Sequence, residues 1–188
     1  RIDPQRAQEL HSRLTSEVQT LAKRLGVSSV WAPEELAIAA STHGVRYPLT
    51  PTGKPSFQKE WLVKHWPDVA RARALDKTAT TFVQGYIIER HDGGRLHCQF
   101  HPLRSDDGGT VSGRFSSSDP NLQNIPIRDE ELGKPIREIF VPDEGDDTWT
   151  RFDWSQVEYR YLVHFARGRG AEKARVMYRE DPNTDFHK

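Results

Sequence analysis

The stretch Thr148-Trp149-Thr150-Arg151-Phe152-Asp153-Trp154-Ser155-Gln156-Val157-Glu158-Tyr159-Arg160 reads as a strand that ends in a carboxylate and turns into a helix. Residues 148–152 carry the strand, and Asp153 ends it. Val157, Tyr161, Leu162 and Phe165 then recur at helical spacing and predict one buried side. A carboxylate at the C-terminal end of a strand points into the crevice where such sheets bind ligands. It suits Mg²⁺, a hard cation that takes one or two carboxylates together with phosphate oxygens. Glu158 lies in the second turn of the predicted helix, beside the same crevice. The position also suits an ordinary helix N-cap, and on the residues alone that is the better reading of Asp153.

Working outward, a second helix is predicted over about 171–179. Pro182-Asn183-Thr184 reads as a further helix start with four residues after it, so the chain reads as a fragment. Upstream lie an acidic turn, Asp143 to Asp147, and a brief helix around Ile136–Phe140. Residues 101–131 show almost no periodicity, and a loop of that length in a compact domain is functional or disordered. Tyr86 to Arg90 and Arg95 to Phe100 flank His91-Asp92-Gly93-Gly94, which predicts a β-hairpin.

The N-terminal half reads as helices. Asp3 caps the first, Pro4 takes its first position, and Gly26 ends it. Leu10, Leu14, Val18, Leu21 and Leu25 form its apolar stripe. A second helix starts at Pro33, with Glu34 and Glu35 in a first turn that favours anions, and stops near Gly44. Pro48, Pro51, Gly53 and Pro55 make 45–56 a loop. Ser56 is read as the cap of a short helix carrying Trp61, Leu62 and Trp66, closed by Pro67. Asp68 is read as the cap of a longer helix bearing Val69, Ala72, Leu75, Ala79, Phe82 and Tyr86. The fold class is therefore α+β, with a helical region over 1–90 and a mixed region over 91–188.

Composition narrows the function classes. With 35% hydrophobic residues, five Trp, eight Phe and five Tyr in 188 residues, the chain has material for a core. This excludes a wholly disordered chain, a collagen or a coiled-coil rod. No run approaches the roughly 20 apolar residues of a membrane span, and no signal peptide is read, so a soluble, cytoplasmic protein is expected. The single Cys98 forbids an internal disulfide and fits a reducing compartment. Residues 1–90 carry 13 Lys+Arg against 9 Asp+Glu, and 91–188 carry 14 against 18. A basic half can face a polyanion and an acidic half can hold a cation, although solvated surface charge accounts for the same counts.

A second informative segment is Ser112-Gly113-Arg114-Phe115-Ser116-Ser117-Ser118-Asp119-Pro120-Asn121-Leu122-Gln123-Asn124-Ile125-Pro126. Gly113 permits a tight backbone beside Arg114. The serines and their amides can donate to phosphate, and Asn121, Gln123 and Asn124 offer donors and acceptors to base edges. By composition alone, a polar surface loop of turn formers is the better reading.

Together the two segments resemble family A DNA polymerases, the group of bacterial DNA polymerase I and many phage replicases. Ser112–Pro126 is similar to that family's T-G-R-L-S-S-x-D-P-N-L-Q-N-I-P segment, and Asp153–Arg160 to its palm motif D-Y-S-Q-I-E-x-R. Asp185-Phe186-His187 looks like the D-x-H that opens the next block. The helices of 1–90 resemble the family's thumb more loosely, through helix pattern and the Gly53-Lys54-Pro55-Ser56 loop. The resemblance implies a helical thumb over 1–90 and a partial palm over 91–188, an antiparallel sheet with helices.

It further implies template-directed addition of deoxynucleotides to a primer 3′ end with two Mg²⁺ ions. Asp153 matches the first catalytic carboxylate and metal ligand, and the Trp154 carbonyl the backbone ligand beside it. Glu158 matches the steric gate against a ribose 2′-hydroxyl. Ser155 falls in the nucleotide site, Gln156 matches a minor-groove contact near the new pair, and His187 matches the histidine on the incoming triphosphate. Arg114 matches the arginine in the minor groove at the primer terminus. Asn121, Gln123, Asn124, Ser116 and Ser117 line the primer-template. The implied partners are primer-template DNA and deoxynucleoside triphosphates.

Trp154 stands where the family has Tyr, Tyr159 where an aliphatic residue is common, Phe115 for Leu and Ser112 for Thr. These departures keep the polar residues and point to a divergent, phage-like branch. The family's fingers helix, its second carboxylate in an H-D-E-like turn and a 3′–5′ exonuclease domain have no counterpart in this sequence. The chain alone is therefore expected not to polymerise, and the rest of palm and fingers would come from the same protein or a second chain. A non-catalytic primer-template-binding subunit or half of a split polymerase is the rival, and an unrelated Mg²⁺ phosphotransferase a third reading. His97, Cys98 and His101 do not read as a zinc site, because alternate strand residues face apart. No phosphate loop of the G-x-x-x-x-G-K-[ST] type and no hydrolase triad is legible. Trp31, Trp61 and Trp66 read as core.

Overall fold

A computed structural model describes residues 1–188 apart from 106, 107, 128, 146, 147, 151, 187 and 188. The chain forms two compact units, Arg1–Asp146 and Asp147–Lys188.

The first unit is built on helices. Helix α1 (Pro4–Leu25) starts where the Asp3 carboxylate accepts the Arg6 amide, and ends at Gly26 with φ 73°. Glycine adopts that left-handed backbone without steric cost. Helix α2 (Pro33–Thr42) buries Leu36, Ala39 and Ala40. Helix α3 (Lys59–His65) follows the proline loop. It begins after Gln58, not at Ser56, whose amide donates to the Pro48 carbonyl and closes that loop. Buried Phe57 then anchors the chain against Tyr47, Trp61 and Trp66.

Helix α4 (Pro67–Lys77) takes Trp66 as N-cap and Pro67 as its first residue. Pro67 thus opens a helix, as its fixed φ favours, and Asp68 in the first turn pairs with Arg24 at 2.9 Å instead of capping. The helix continues as a π-helix over Thr78–Ile88. This overturns the expected strand from Tyr86: burial of Val83 and Ile87, four residues apart, holds the segment helical. The α1 stripe packs along α4 and the π-helix and makes the core.

The hairpin is correspondingly short, β1 (His91–Asp92) against β2 (Arg95–Leu96). Strand β3 (Gln99–His101) pairs antiparallel with β4 (Ser116–Ser118), in the register Phe100 to Ser117. A 3₁₀ turn over Leu122–Asn124 follows, then helix α5 (Gly133–Arg137), slightly earlier than expected. Ile136 and Ile139 insert into the helical core. The Ile2 amide bonds to the Gly94 carbonyl, the Asp3 amide to Ile139 and the Val141 amide to Arg1. These ties and the buried isoleucines carry the compact unit from the helices through residue 146.

The second unit holds α6 (Val157–Phe165) packed on α7 (Arg169–Glu180). No strand forms among the described residues of 148–152. A strand needs a neighbour to take its backbone donors and acceptors, and none of those residues has a ladder partner. Pro182–Thr184 is a turn closed by Asp181, whose carboxylate accepts the Asn183 amide and whose carbonyl accepts the Thr184 amide. The expected buried face of α6 is also corrected. Val163 is buried, but Tyr161, Leu162 and Phe165 are 62, 62 and 73% exposed, because α7 covers only one side of α6. Among the described residues no helix is long and apolar enough to cross a membrane.

Candidate functional site

In the first unit the Ser112–Pro126 segment is a loop tied mostly to itself. Gly113 has φ 74°, a turn that a side-chain-bearing residue resists. Pairing of β4 with β3 fixes Ser116–Ser118, and the Ser118 hydroxyl lies 2.8 Å from His101 Nε2. Ser117 is buried. Its hydroxyl donates to Asn121 Oδ1 at 3.0 Å, and Asn121 Oδ1 also accepts the Gln123 amide at 3.2 Å. Gln123 Nε2 donates to the Phe115 carbonyl at 3.1 Å. Among the residues expected on DNA, Ser117, Asn121 and Gln123 therefore spend polar atoms building the loop. Arg114 and Asn124 sit exposed on its outside, with Ser116 half-buried. The Arg114 carbonyl accepts from Thr110 Oγ1 at 2.7 Å, which holds the backbone beside that guanidinium.

In the second unit the turn before α6 carries Asp153, Trp154 and Ser155, all exposed. The N-cap of α6 is Gln156, not Asp153. Gln156 takes that position without a side-chain cap bond, and Asp153, three residues earlier, lies outside it. Glu158 falls in the first turn of α6, one turn earlier than expected. There the positive end of the helix dipole favours its anion. Gln156, at φ 53°, is clasped at both ends: Nε2 donates to the Thr184 carbonyl at 2.8 Å and Oε1 accepts from the Tyr178 hydroxyl at 3.0 Å. Arg160 donates through Nε to the Ser155 carbonyl at 2.8 Å and through its other end to the Pro182 carbonyl. Arg175 closes the far end of α6, donating to the Val163 and Ala166 carbonyls at 2.8 and 3.0 Å. A cleft of about 210 Å³ opens beside Arg160, His164, Arg175 and Arg179. Sequence reasoning gave Tyr178 and Arg175 no role, and Arg160 served only as the end of a motif. Their partners lie up to 22 residues away and leave no local signal. His187 lies outside the described residues.

The donors at the turn are hard oxygens, the Asp153 carboxylate and the Trp154 carbonyl, which fit a divalent cation such as Mg²⁺. Among the described residues no three His, Cys, Asp or Glu side chains gather. His97, Cys98 and His101 form no cluster, and partial burial pushes the Cys98 thiol up.

The family model for DNA polymerase family A matches residues 34–188. A DNA-directed DNA polymerase of Pseudomonas phage M6 is 38% identical over 93% of this chain and 30% of its own length. DNA polymerase DpoZ of Acinetobacter phage SH-Ab 15497 is 32% identical over 100% of this chain and 34% of its own. DNA polymerase I of Bacillus subtilis is 41% identical over 53% of this chain and 11% of its own. Among solved structures, the polymerase domain of Pol1 from M. smegmatis, in complex with DNA primer-template and dNTP, superposes with a TM-score of 0.65 at 26% identity. That match covers 87% of this chain and 30% of the other. The chain spans about a third of the length of the two phage relatives. With a family match over most of its length and an α+β architecture shared with a polymerase domain, the chain belongs to DNA polymerase family A.

Proposed function

We propose that this chain is the thumb and first part of the palm of a template-directed DNA polymerase, with the thumb over residues 1–90 and the partial palm over 91–188. The observation that carries the reading is Asp153: an exposed carboxylate in the turn before α6, beside the Trp154 carbonyl and outside the N-cap position of the helix.

The Ser112–Pro126 loop grips primer-template DNA. Arg114 reaches the minor groove at the primer terminus, where acceptors are nearly alike for every pair, so the contact tests pair shape and not sequence. Asn124 and Ser116 line the duplex, while Ser117, Asn121 and Gln123 hold the loop in form. Glu158 occupies the space of a ribose 2′-hydroxyl and so selects deoxynucleotides. Ser155 and Gln156 serve the incoming nucleotide and the new pair, and His187, outside the described residues, is assigned to the triphosphate by its motif alone. Asp153 and the Trp154 carbonyl would hold Mg²⁺, and two such ions supply charge stabilisation for phosphoryl transfer when bound. The second carboxylate and the basic fingers helix come from outside these residues, so the chain alone does not extend a primer.

The test is a salt-titrated binding assay on primer-template DNA with a parallel extension assay. Binding that weakens with salt and with Arg114→Ala, without extension, is expected. Salt-independent or absent binding would sink the DNA-grip role, and rapid extension by the 188-residue chain would sink the claim of incompleteness.

A further inference from the structure

Gln156 carries a left-handed backbone although it is not glycine, and its side chain is held at both ends by Thr184 and Tyr178. Chemistry dictates which way the amide faces. A backbone carbonyl only accepts, so the amino end must lie on Thr184, and the oxygen then takes the Tyr178 hydroxyl. The Tyr178 ring is itself held, with the Arg160 guanidinium 4.6 Å from its centroid. Arg160 in turn bonds the Ser155 and Pro182 carbonyls. One clasp therefore grips the turn before α6 and the turn after α7.

An amide amino group carries two hydrogens. One is on Thr184; no bond among the described residues uses the other. Thr184 sets the sense of the amide; without the Tyr178 hydroxyl, Oε1 loses its donor and the amide is pinned at one end only. The difference matters at a minor groove, where every base pair offers acceptors and a donor appears only on guanine. An amino group finds a partner at any pair, whereas an amide oxygen does not.

We propose that Tyr178 is a positioning residue: with the sense of the Gln156 amide set by Thr184, its hydroxyl pins the other end, so that the remaining amino hydrogen is held toward a minor-groove acceptor. This rests on the reading of Gln156 as a primer-template contact.

The experiment is an anisotropy titration of the 188-residue chain with matched primer-templates. Separate duplexes carry adenine or 3-deazaadenine, which has C–H in place of the N3 acceptor, at the primer terminus and at the templating base. The wild type should prefer the adenine duplex by about fivefold at one of these positions, the size of one net hydrogen bond. Gln156→Ala should abolish the preference. Tyr178→Phe should reduce it to less than about twofold while keeping the affinity for the 3-deazaadenine duplex, which a merely structural loss would not spare. Arg160→Lys keeps the charge but removes the stacked guanidinium. It should also shrink the preference, and it reads the same clasp if Tyr178→Phe unfolds. A full preference in either variant, or salt-sensitive wild-type binding with no preference, overturns the proposal and leaves the DNA-grip reading standing. No binding to any duplex overturns both.

Discussion

The buried Ser117 hydroxyl donates to Asn121 Oδ1 at 3.0 Å, one of the bonds that shape the loop that carries Arg114. Ser117→Ala leaves Asn121 with one donor fewer in a half-buried place. It should cost about 1 kcal/mol, which for a chain of this size lowers the melting temperature by about 2–4 °C. Primer-template affinity should fall less than in Arg114→Ala. Calorimetry and anisotropy on the same samples check both.

Arg114→Ala should weaken primer-template binding about tenfold, the range of a lost guanidinium contact to base edges. The backbone tie in this stretch, Thr110 to the Arg114 carbonyl, does not use the side chain and is kept in the variant. A titration at two salt concentrations measures the loss.

Asp153→Ala should leave primer-template binding within about twofold of wild type, since an exposed carboxylate adds no attraction to a polyanion. Placed in the intact polymerase, the same change should abolish primer extension. Equal loss of binding and extension would contradict the metal-ligand role.

Arg71 bonds Glu17 and Glu131, both at 2.7 Å, and so ties α1, α4 and the approach to α5. Its guanidinium holds the Glu131 carboxyl below the usual carboxylate range. A carboxyl with a lowered folded value stabilises the fold above its unfolded value, about 4.3, and loses that contribution as pH falls through the lowered one. Arg71→Met should therefore lower the melting temperature slightly at neutral pH, change little once the pH is below the lowered value, and so flatten part of the acid limb of a melting-temperature profile. An unchanged acid limb would show that the pair contributes nothing measurable.

Ile136 is fully buried in the helical core although it comes from α5, far along the chain. Ile136→Ala should cost about 3 kcal/mol through lost burial and the cavity left behind. Denaturant midpoints measure it. A cost below about 1 kcal/mol would mean that α5 is not part of this core.

The residues themselves determined the helical half: Asp3, Pro4, the leucine stripe and Gly26 mark α1 within reach of local rules, because caps and periodicity are set by neighbours in sequence. They also determined family membership, since the Ser112–Pro126 and Asp153–Arg160 segments keep their order and polar residues. Only tertiary structure decided the rest. Val83 and Ile87 carried the π-helix through Ile88, over the start of the strand read from Tyr86, because core burial outweighs local β signals. Phe152 stayed 87% exposed and outside any strand, because a strand exists only where a partner takes its hydrogen bonds. Which polar residues of the loop build it, and which are left facing outward, followed from contacts such as Ser117 with Asn121 and Gln123 with Phe115. The clasp of Gln156 by Tyr178 and Thr184 joins residues 22 and 28 positions apart. Such a bond depends on how α6 packs on α7, and no local pattern encodes that distance.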